Sequence, residues 1–177
     1  GAPYTHSGVM ASSLAMDKHR SKAVLRDVGI TVPAGTLVFR TAAAEDHPMD
    51  PPYVLKPNSQ GSSVGVYIVK AGANRPPEGI ASNKALAVTE IIPKSEWYDY
   101  DAKYADGGSI HVVPAQIPQD VEDLCKTWAL LAHETLGCRG ITRSDFRFDE
   151  KNTQETDIVN KIVMLELNTQ PGMTPTS

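Results

Sequence analysis

The sequence predicts an α+β fold in which helices pack on antiparallel sheets. Two segments have the apolar spacing of helices, and several short β-rich runs are separated by turn residues. This mixture of helices and hairpins is typical of an antiparallel sheet covered by helices. The 177 residues are enough for one sizeable core or two small lobes.

Composition and charge argue against several classes of protein. The net charge of −4 disfavours a general nucleic-acid surface, which needs a basic face. No apolar run is long enough to span a membrane. Cys125 and Cys138 are too few for a disulfide framework. We interpret both as reduced core residues of a cytoplasmic protein, with neither nucleic acid nor membrane as a partner.

The first third of the chain is predicted to contain one helix and two strands. The helix is expected at 9–28, because its apolar residues face one side and Gly29 is a natural stop. Short strands are predicted at 37–39 and 53–56. The intervening 41–52, rich in Ala, Asp and Pro, is predicted to be a loop.

The middle third is predicted to be a hairpin, a strand and a long loop. The small-residue segment 58–65 forms the hairpin tip, and the strand resumes at 66–69. Another apolar strand is predicted at 85–92. The polar and aromatic stretch 96–109 is predicted to be a long loop of the kind that often forms a lid. A strand at 110–113 leaves it.

The last third is predicted to contain a second helix and two strands. The helix starts near residue 118, with Asp120 as its N-cap, and buries one apolar stripe. Strands are predicted at 142–148 and 158–168, joined by the polar loop 149–157.

The last two strands carry the most specific candidate for chemistry. Residues two apart on a strand share a face, which pairs Arg143 with Asp145 and Glu166 with Asn168. If the strands pair, one face carries two carboxylates, an amide and a guanidinium. Oxygen ligands suit Mg²⁺, and an adjacent Arg suits a phosphate. The alternative is a solvated sheet face with an ordinary salt bridge. The apolar run before Glu166 favours the metal, because polar groups on a buried strand need partners.

Two further segments are candidates for binding an anion and covering a ligand. Lys56 precedes the loop 61–65, whose small residues let backbone N–H groups approach an anion. That loop lacks a Walker A ending, and a flexible hairpin tip has the same composition. The segment 98–104 contains three tyrosines, a lysine and two aspartates. It either covers a ligand or packs as an ordinary surface loop.

Together these segments resemble the D-alanine–D-alanine ligases, a family of ATP-grasp enzymes. The matching segments occur in the family's order and are 4–9, 15–18, 54–57, 61–65, 98–104, 137–140, 143–146 and 166–174. The resemblance implies an ATP-grasp fold of two α/β lobes with antiparallel sheets.

The resemblance also implies a domain plan and a reaction. Residues 1–35 lead into the central domain, 36–84 form part of the small lobe, and 85–177 form the large catalytic lobe. In the family, ATP phosphorylates the carboxylate of a first D-alanine. The amine of a second D-alanine attacks the acyl phosphate, which yields D-alanyl-D-alanine for peptidoglycan synthesis. The substrates are thus ATP and D-alanine.

The resemblance assigns roles to residues that bind the nucleotide and close the site. Lys18 and Lys56 match phosphate-contacting lysines, and Lys103 lies near the nucleotide. Ser62 belongs to the loop that closes over the phosphates. Tyr104 belongs to the lid and to the substrate site.

The resemblance assigns further residues to the metal ions and the reacting groups. Two Mg²⁺ ions, for which Mn²⁺ could substitute, are held by Asp145, Glu166 and Asn168. The transferring phosphoryl group and the oxyanion are held by Arg143 and the backbone of Gly172. The carboxylate of the second D-alanine is bound by Ser177.

Three departures from the family pattern leave alternatives open. The family's N-terminal domain is absent, and the family continues beyond Ser177. The longer family segment with the adenine-binding hinge does not appear between residues 77 and 85. We therefore expect an incomplete D-alanine–D-alanine ligase. The alternatives are a non-catalytic or degenerate ATP-grasp nucleotide-binding module and a related D-alanine–D-lactate type ligase. The family often forms homodimers.

Overall fold

The computed structural model describes residues 4–60, 65–77, 80, 86–89, 112 and 114–172. The helices are α1 Val9–Met16, α2 Lys18–Asp27, α3 Arg40–Glu45 and α4 Gln119–Thr135. The strands are β1 Leu37–Val38, β2 Tyr53–Pro57, β3 Tyr67–Val69, β4 Leu86–Thr89, β5 Arg143–Phe148 and β6 Ile162–Asn168. A 3₁₀ turn spans Ile158–Asn160. Helices and antiparallel sheets confirm the predicted α+β class.

The chain divides into two compact units. The first unit comprises Gly1–Val32 and Asp101–Ser177, and the second comprises Pro33–Tyr100. Within the described ranges, none of the helices has the length and apolar character needed to cross a bilayer.

The first unit packs helices against the antiparallel pair β5–β6. Helix α4 contributes Trp128 and Ala132 to a core that also contains Ile162 and Met164 of β6. The backbone N–H of Met164 donates to the carbonyl oxygen of Thr31 at 2.9 Å, which ties the segment after α2 to the sheet. Burial of these apolar side chains is the main force that holds the unit together.

The predicted helix 9–28 is two helices that meet at Asp17. Asp17 has an extended backbone, and its side chain accepts a hydrogen bond from the N–H of Arg20 at 3.0 Å. An aspartate that caps a helix start competes with continuation of the preceding helix. The break makes Lys18 the first residue of α2.

The second unit contains a four-stranded antiparallel sheet in the order β1–β4–β2–β3. Its core includes Tyr53, Leu55, Val69 and Ile80. β4 pairs with both β1 and β2 and lies within this unit.

Three other local predictions differ from the structure. The predicted loop 41–52 begins with helix α3, which buries Ala43 completely. Helix α4 has Pro118 at its N-cap. Asp120 lies in the first turn, where its negative charge interacts favourably with the positive end of the helix dipole. The predicted strand 158–168 begins as a 3₁₀ turn because the Asp157 side chain accepts from the N–H of Val159. The predicted strand 110–113 lies mostly outside the described residues.

Candidate functional site

The strands β5 and β6 pair in a register that collects the candidate residues on one face. Arg143 lies opposite Asn168, and Asp145 lies opposite Glu166. Residues two apart on each strand share a face, so all four side chains belong to the same side of the sheet. This is the arrangement that the sequence predicts if the strands pair.

A β-bulge separates this polar face from the hydrophobic core. The register shifts between Asp145 and Phe146, so Phe146 pairs with Met164 and the next residue pair skips Leu165. In a regular strand, Met164 and Glu166 would share a face. The bulge lets Met164 be fully buried while Glu166 lies beside Asp145 on the other side.

The Arg143 guanidinium donates two hydrogen bonds to the Asp145 carboxylate. Nε donates to Oδ1 at 2.8 Å, and Nη2 donates to Oδ2 at 3.1 Å. The Asn168 amide nitrogen lies 3.5 Å from Oδ2 of Asp145. Bidentate contacts of this kind fix the orientation of both groups. Arg143, Asp145 and Asn168 therefore form one connected polar cluster.

Lys18 brings a buried cation to the same cluster. Its Nζ lies 3.9 Å from Oε2 of Glu166, and its side chain is only 9% exposed, against 29% for Glu166. Burial lowers the pKa of Lys18, and the nearby carboxylates of Glu166 and Asp17 act in the opposite direction. Helix α2 thus presents a positive charge to the edge of β6 that carries the acidic residue.

The oxygen-rich part of this cluster fits a magnesium ion. Among the residues that the structure describes, no three His, Cys, Asp or Glu side chains are grouped to hold a metal. The donors here are two carboxylates and one amide. Mg²⁺ commonly takes one or two carboxylates and fills its remaining positions with water and substrate phosphates. Asp145, Glu166 and Asn168 supply that kind of donor set.

The second unit contains the other lysine candidate. Lys56 lies on β2 opposite Ala87 of β4 and precedes the buried Pro57. Past the tip, Gly65 has φ +69°, and a Cβ there would lie 3.1 Å from Cγ of Pro57. A glycine is therefore needed where the hairpin returns.

Several predicted site residues cannot be placed in this geometry. Ser62, Lys103, Tyr104 and Ser177 lie outside the described residues. Gly172 is the last described residue and is exposed, four residues after the end of β6.

The structure also shows buried polar residues that were not predicted from the sequence. Ser7, Ser21 and Lys22 are each less than 9% exposed, as is Lys18. Lys22 lies one helical turn after Lys18, and that spacing is a signal the sequence contains. The burial of Ser7 depends on a contact with Arg139, which is distant in sequence, and no local pattern reveals it.

Comparisons with known proteins agree on one family. A family model described as "D-ala D-ala ligase C-terminus" matches residues 79–177. The D-alanine–D-alanine ligase of Caulobacter vibrioides is 52% identical over 205 residues, which covers 99% of this chain and 61% of that protein. The ligase of Ruegeria sp. strain TM1040 is 48% identical over an alignment that covers 99% of this chain and 62% of the Ruegeria protein.

Solved structures show the same fold. The D-alanine–D-alanine ligase from Bacillus anthracis matches with a TM-score of 0.68 and 25% identity over 97% of this chain and 62% of that one. A structure of the Bacillus anthracis ligase complexed with ATP matches with a TM-score of 0.70 and 24% identity over 100% of this chain and 63% of that one.

The chain corresponds to a part of each of these relatives. It spans about three fifths of the length of the relatives it matches. Sequence identity of about one half over nearly every residue of this chain nevertheless leaves no doubt about its ancestry. The chain belongs to the D-alanine–D-alanine ligase family.

Proposed function

We propose that the protein containing this chain joins two D-alanines at the expense of ATP. A first D-alanine carboxylate receives the γ-phosphoryl group, and the amine of a second D-alanine displaces phosphate from the acyl phosphate. The products are ADP, phosphate and D-alanyl-D-alanine for peptidoglycan synthesis. The observation that carries the proposal is the convergence of Lys18, Arg143, Asp145, Glu166 and Asn168 on one face of β5–β6.

This cluster suits phosphoryl transfer. Such reactions depend on positioning and on cations that stabilise charge on the phosphoryl oxygens, with no need for a covalent protein nucleophile. Arg143 offers a planar, permanently charged fork for phosphoryl oxygens, and its contact with Asp145 fixes its orientation. Lys18 offers a second, more buried cation.

Asp145, Glu166 and Asn168 would hold Mg²⁺. When bound, the ion supplies charge neutralisation at the phosphates. The carboxylates also act on the protein's own cations: Asp145 orients Arg143, and Glu166 lies beside Lys18. We further propose that Lys56, Ser62, Lys103, Tyr104, Gly172 and Ser177 act as the family resemblance implies.

The choice of substrates and cofactor is based on the relatives. The similar proteins from Caulobacter and Ruegeria are named D-alanine–D-alanine ligases, and a Bacillus anthracis relative was solved with ATP. We therefore propose ATP and D-alanine as substrates and Mg²⁺, or Mn²⁺ in its place, as the metal. We propose a cytoplasmic location, because the reaction would consume ATP. We also propose a homodimer, which light scattering would test.

The test is phosphate release from ATP by the full-length protein, with product identification by mass spectrometry. We expect turnover with D-alanine and Mg²⁺ and a product with the mass of the dipeptide. D-Lactate added as the second substrate distinguishes a depsipeptide-forming ligase. Equal turnover with L-alanine would overturn the proposal. ATP binding without turnover on any of these substrates would favour a non-catalytic nucleotide-binding module.

A further inference from the structure

The N-terminal segment 4–7 is fastened to the loop 137–140 by contacts across 132 positions of sequence. The Ser7 hydroxyl donates to the carbonyl oxygen of Arg139 at 3.1 Å and accepts from the Arg139 N–H at 3.1 Å. Ser7 is 5% exposed, so water does not readily replace these bonds. One small side chain thus satisfies both backbone groups of a distant residue.

Side-chain and steric contacts reinforce this junction. Nε of Arg139 donates to the carbonyl oxygen of His6 at 2.8 Å, and its guanidinium lies 4.8 Å from the centre of the Tyr4 ring. Gly140 has φ +72°, and a Cβ at that position would clash with the carbonyl oxygen of Thr5. The two backbones therefore approach as closely as a glycine allows.

Both halves of the junction lead directly to charged residues of the proposed site. On one side, Ser7 is followed by α1 and then by Lys18 at the start of α2. On the other side, Arg139 lies four residues before Arg143. The intervening Thr142 is held by a hydrogen bond of 2.9 Å between its Oγ1 and Nδ1 of His133 in α4. On the Arg139 side only three residues intervene, and on the Ser7 side the chain between Ser7 and Lys18 is mostly the helix α1.

The residues that make the contacts of the junction are not themselves part of the apolar core, although their neighbour Cys138 packs against it. In the part of the chain that the structure describes, the core cluster of the first unit includes none of residues 4–7, 139 or 140. Tyr4 is 54% exposed. The direct contacts between the two segments are therefore mainly polar and steric.

We propose that Ser7 and Arg139 form a latch that sets the position of Lys18 relative to Arg143. Ser7 is accordingly a positioning residue for phosphoryl transfer. This inference rests on the proposed function, because it assigns the latch a consequence for that reaction. Displacement of catalytic groups by about 1 Å can lower a rate by about 100-fold, so loss of a small contact outside the site can have a large kinetic effect.

The test compares Ser7→Ala, Ser7→Thr and Ser21→Ala in the full-length protein. Ser7→Thr keeps the hydroxyl. Ser21 is a matched control, because it is a buried serine of the same unit whose hydroxyl, within the described part of the chain, donates locally to the carbonyl oxygen of Lys18 at 3.4 Å. We expect Ser7→Ala to lower kcat by about tenfold or more at saturating substrates. We expect the KM for D-alanine to change little, Ser7→Thr to recover most of kcat, and Ser21→Ala to retain it.

A structural role alone gives a different pattern. If Ser7→Ala lowers the melting temperature as Ser21→Ala does and leaves kcat per folded molecule unchanged, the latch proposal is overturned. Should Ser7→Ala fail to fold, Gly140→Ala is the second variant, because its added Cβ would clash with the carbonyl oxygen of Thr5 and push the two segments apart. A kcat within twofold of wild type in that variant would then count against the latch.

Hydrogen exchange separates failure of the latch from failure of the proposed function. Absence of D-alanine-dependent turnover in the wild type would refute the function but not the latch. In that case, we expect Ser7→Ala to speed amide exchange both at the start of α2 and in residues 139–143, and Ser21→Ala not to affect the latter. Unchanged exchange in residues 139–143 of Ser7→Ala would overturn the latch whatever the activity.

Discussion

Asp145 and Glu166 lie directly opposite each other on the paired strands β5 and β6. Like charges at opposite positions destabilise an antiparallel pair. Arg143 offsets the charge of Asp145, and Lys18 lies beside Glu166. The strand pair thus keeps two carboxylates side by side and has a cation beside each of them.

Neutralising the carboxylate of Asp145 or Glu166 is expected to abolish ligation and the stabilisation by Mg²⁺ with ATP, without unfolding the protein. Asp145→Asn and Glu166→Gln change charge but little volume, and both relieve the repulsion between the strands. We expect ligation to fall by at least about 100-fold. We also expect the increase in melting temperature caused by Mg²⁺ with ATP to disappear, because a ligand stabilises only the state that binds it.

Glu150→Gln is the control for these two variants. Glu150 is exposed and lies two residues after the end of β5, so Glu150→Gln makes the same chemical change outside the cluster. We expect wild-type activity and a wild-type response to Mg²⁺. Full activity in Glu166→Gln would refute the assignment of the metal site.

Removal of the Lys18 cation is expected to weaken ATP binding more than it weakens the fold. Lys18→Met keeps the length of the side chain and removes a buried charge beside Glu166. The methionine lacks the desolvation cost of the lysine, and Glu166 loses only a cation 3.9 Å away while it stays 29% exposed to water, so we expect stability to change by less than about 2 kcal/mol. The KM for ATP should rise by about tenfold or more, because a placed cation is lost from the phosphates.

Lys22→Met is the matched comparison for Lys18→Met. Lys22 is similarly buried and lies one turn further along α2. We expect a comparable change in the denaturation midpoint and a smaller change in the KM for ATP. Equal KM values for the two variants would remove the special role given to Lys18.

The extent to which the site is predictable from the sequence depends on the range of the interactions involved. Alternation predicts that Arg143 and Asp145 share one face of β5 and that Glu166 and Asn168 share one face of β6. The register of the pair places both faces on the same side of the sheet. The bulge at Leu165 is not predicted by alternation. In a regular strand, apolar Met164 and polar Glu166 would lie on the same face, and the bulge places them on opposite faces.

The differences in secondary structure have local and tertiary causes. Asp17 breaks the helix because its side chain caps α2. The sequence alone does not show whether an aspartate within a helical pattern continues the helix or caps a new one. Helix α3 forms within a predicted loop because Ala43 is buried in the core of the second unit. The Ser7–Arg139 contact joins segments 132 residues apart. Only the folded chain brings such partners together.

Tyr53 is expected to make the stability of the second unit depend on alkaline pH. Its side chain is 1% exposed, and its hydroxyl lies 2.6 Å from Nδ1 of His47. Burial, and secondarily the charge of Asp46, raises the pKa of Tyr53 above its ordinary value of 10.0. The folded protein therefore favours the neutral hydroxyl. Its contribution to stability is complete below pH 10.0 and is lost as the pH rises through the higher folded-state pKa.

Tyr53→Phe tests this pH dependence. At neutral pH, the variant should be less stable by about 1 kcal/mol, because His47 loses its hydrogen-bond partner. Above about pH 10, the difference between wild type and variant should shrink, because only the wild type has a phenol to ionise. Guanidinium denaturation at several pH values measures both quantities. A constant difference across that range would contradict the expectation.

Both cysteine thiols are expected to react slowly in the folded protein. Cys125 and Cys138 are free and half-buried, and burial raises the pKa of each thiol above 9.0. For Cys138, the neighbouring Ser7 hydroxyl partly opposes this effect on the pKa. Since the thiolate is the reactive form, alkylation by iodoacetamide at about pH 8 should be several-fold slower in the native state than in guanidinium. The native rate should continue to rise with pH beyond 9.0.

The single variants Cys125→Ser and Cys138→Ser assign the two rates, and Ser7→Ala makes one of them a reporter on the latch. Loss of the Ser7 hydroxyl removes a polar neighbour that lowers the pKa of Cys138, which by itself slows alkylation. Opening of the loop 137–140 exposes the thiol and speeds alkylation. We expect the second effect to dominate, because two backbone hydrogen bonds of Arg139 are lost with the same hydroxyl. The rate at Cys125, on α4, should stay unchanged, and slower alkylation of Cys138 in Ser7→Ala would show that the loop stays closed without the latch.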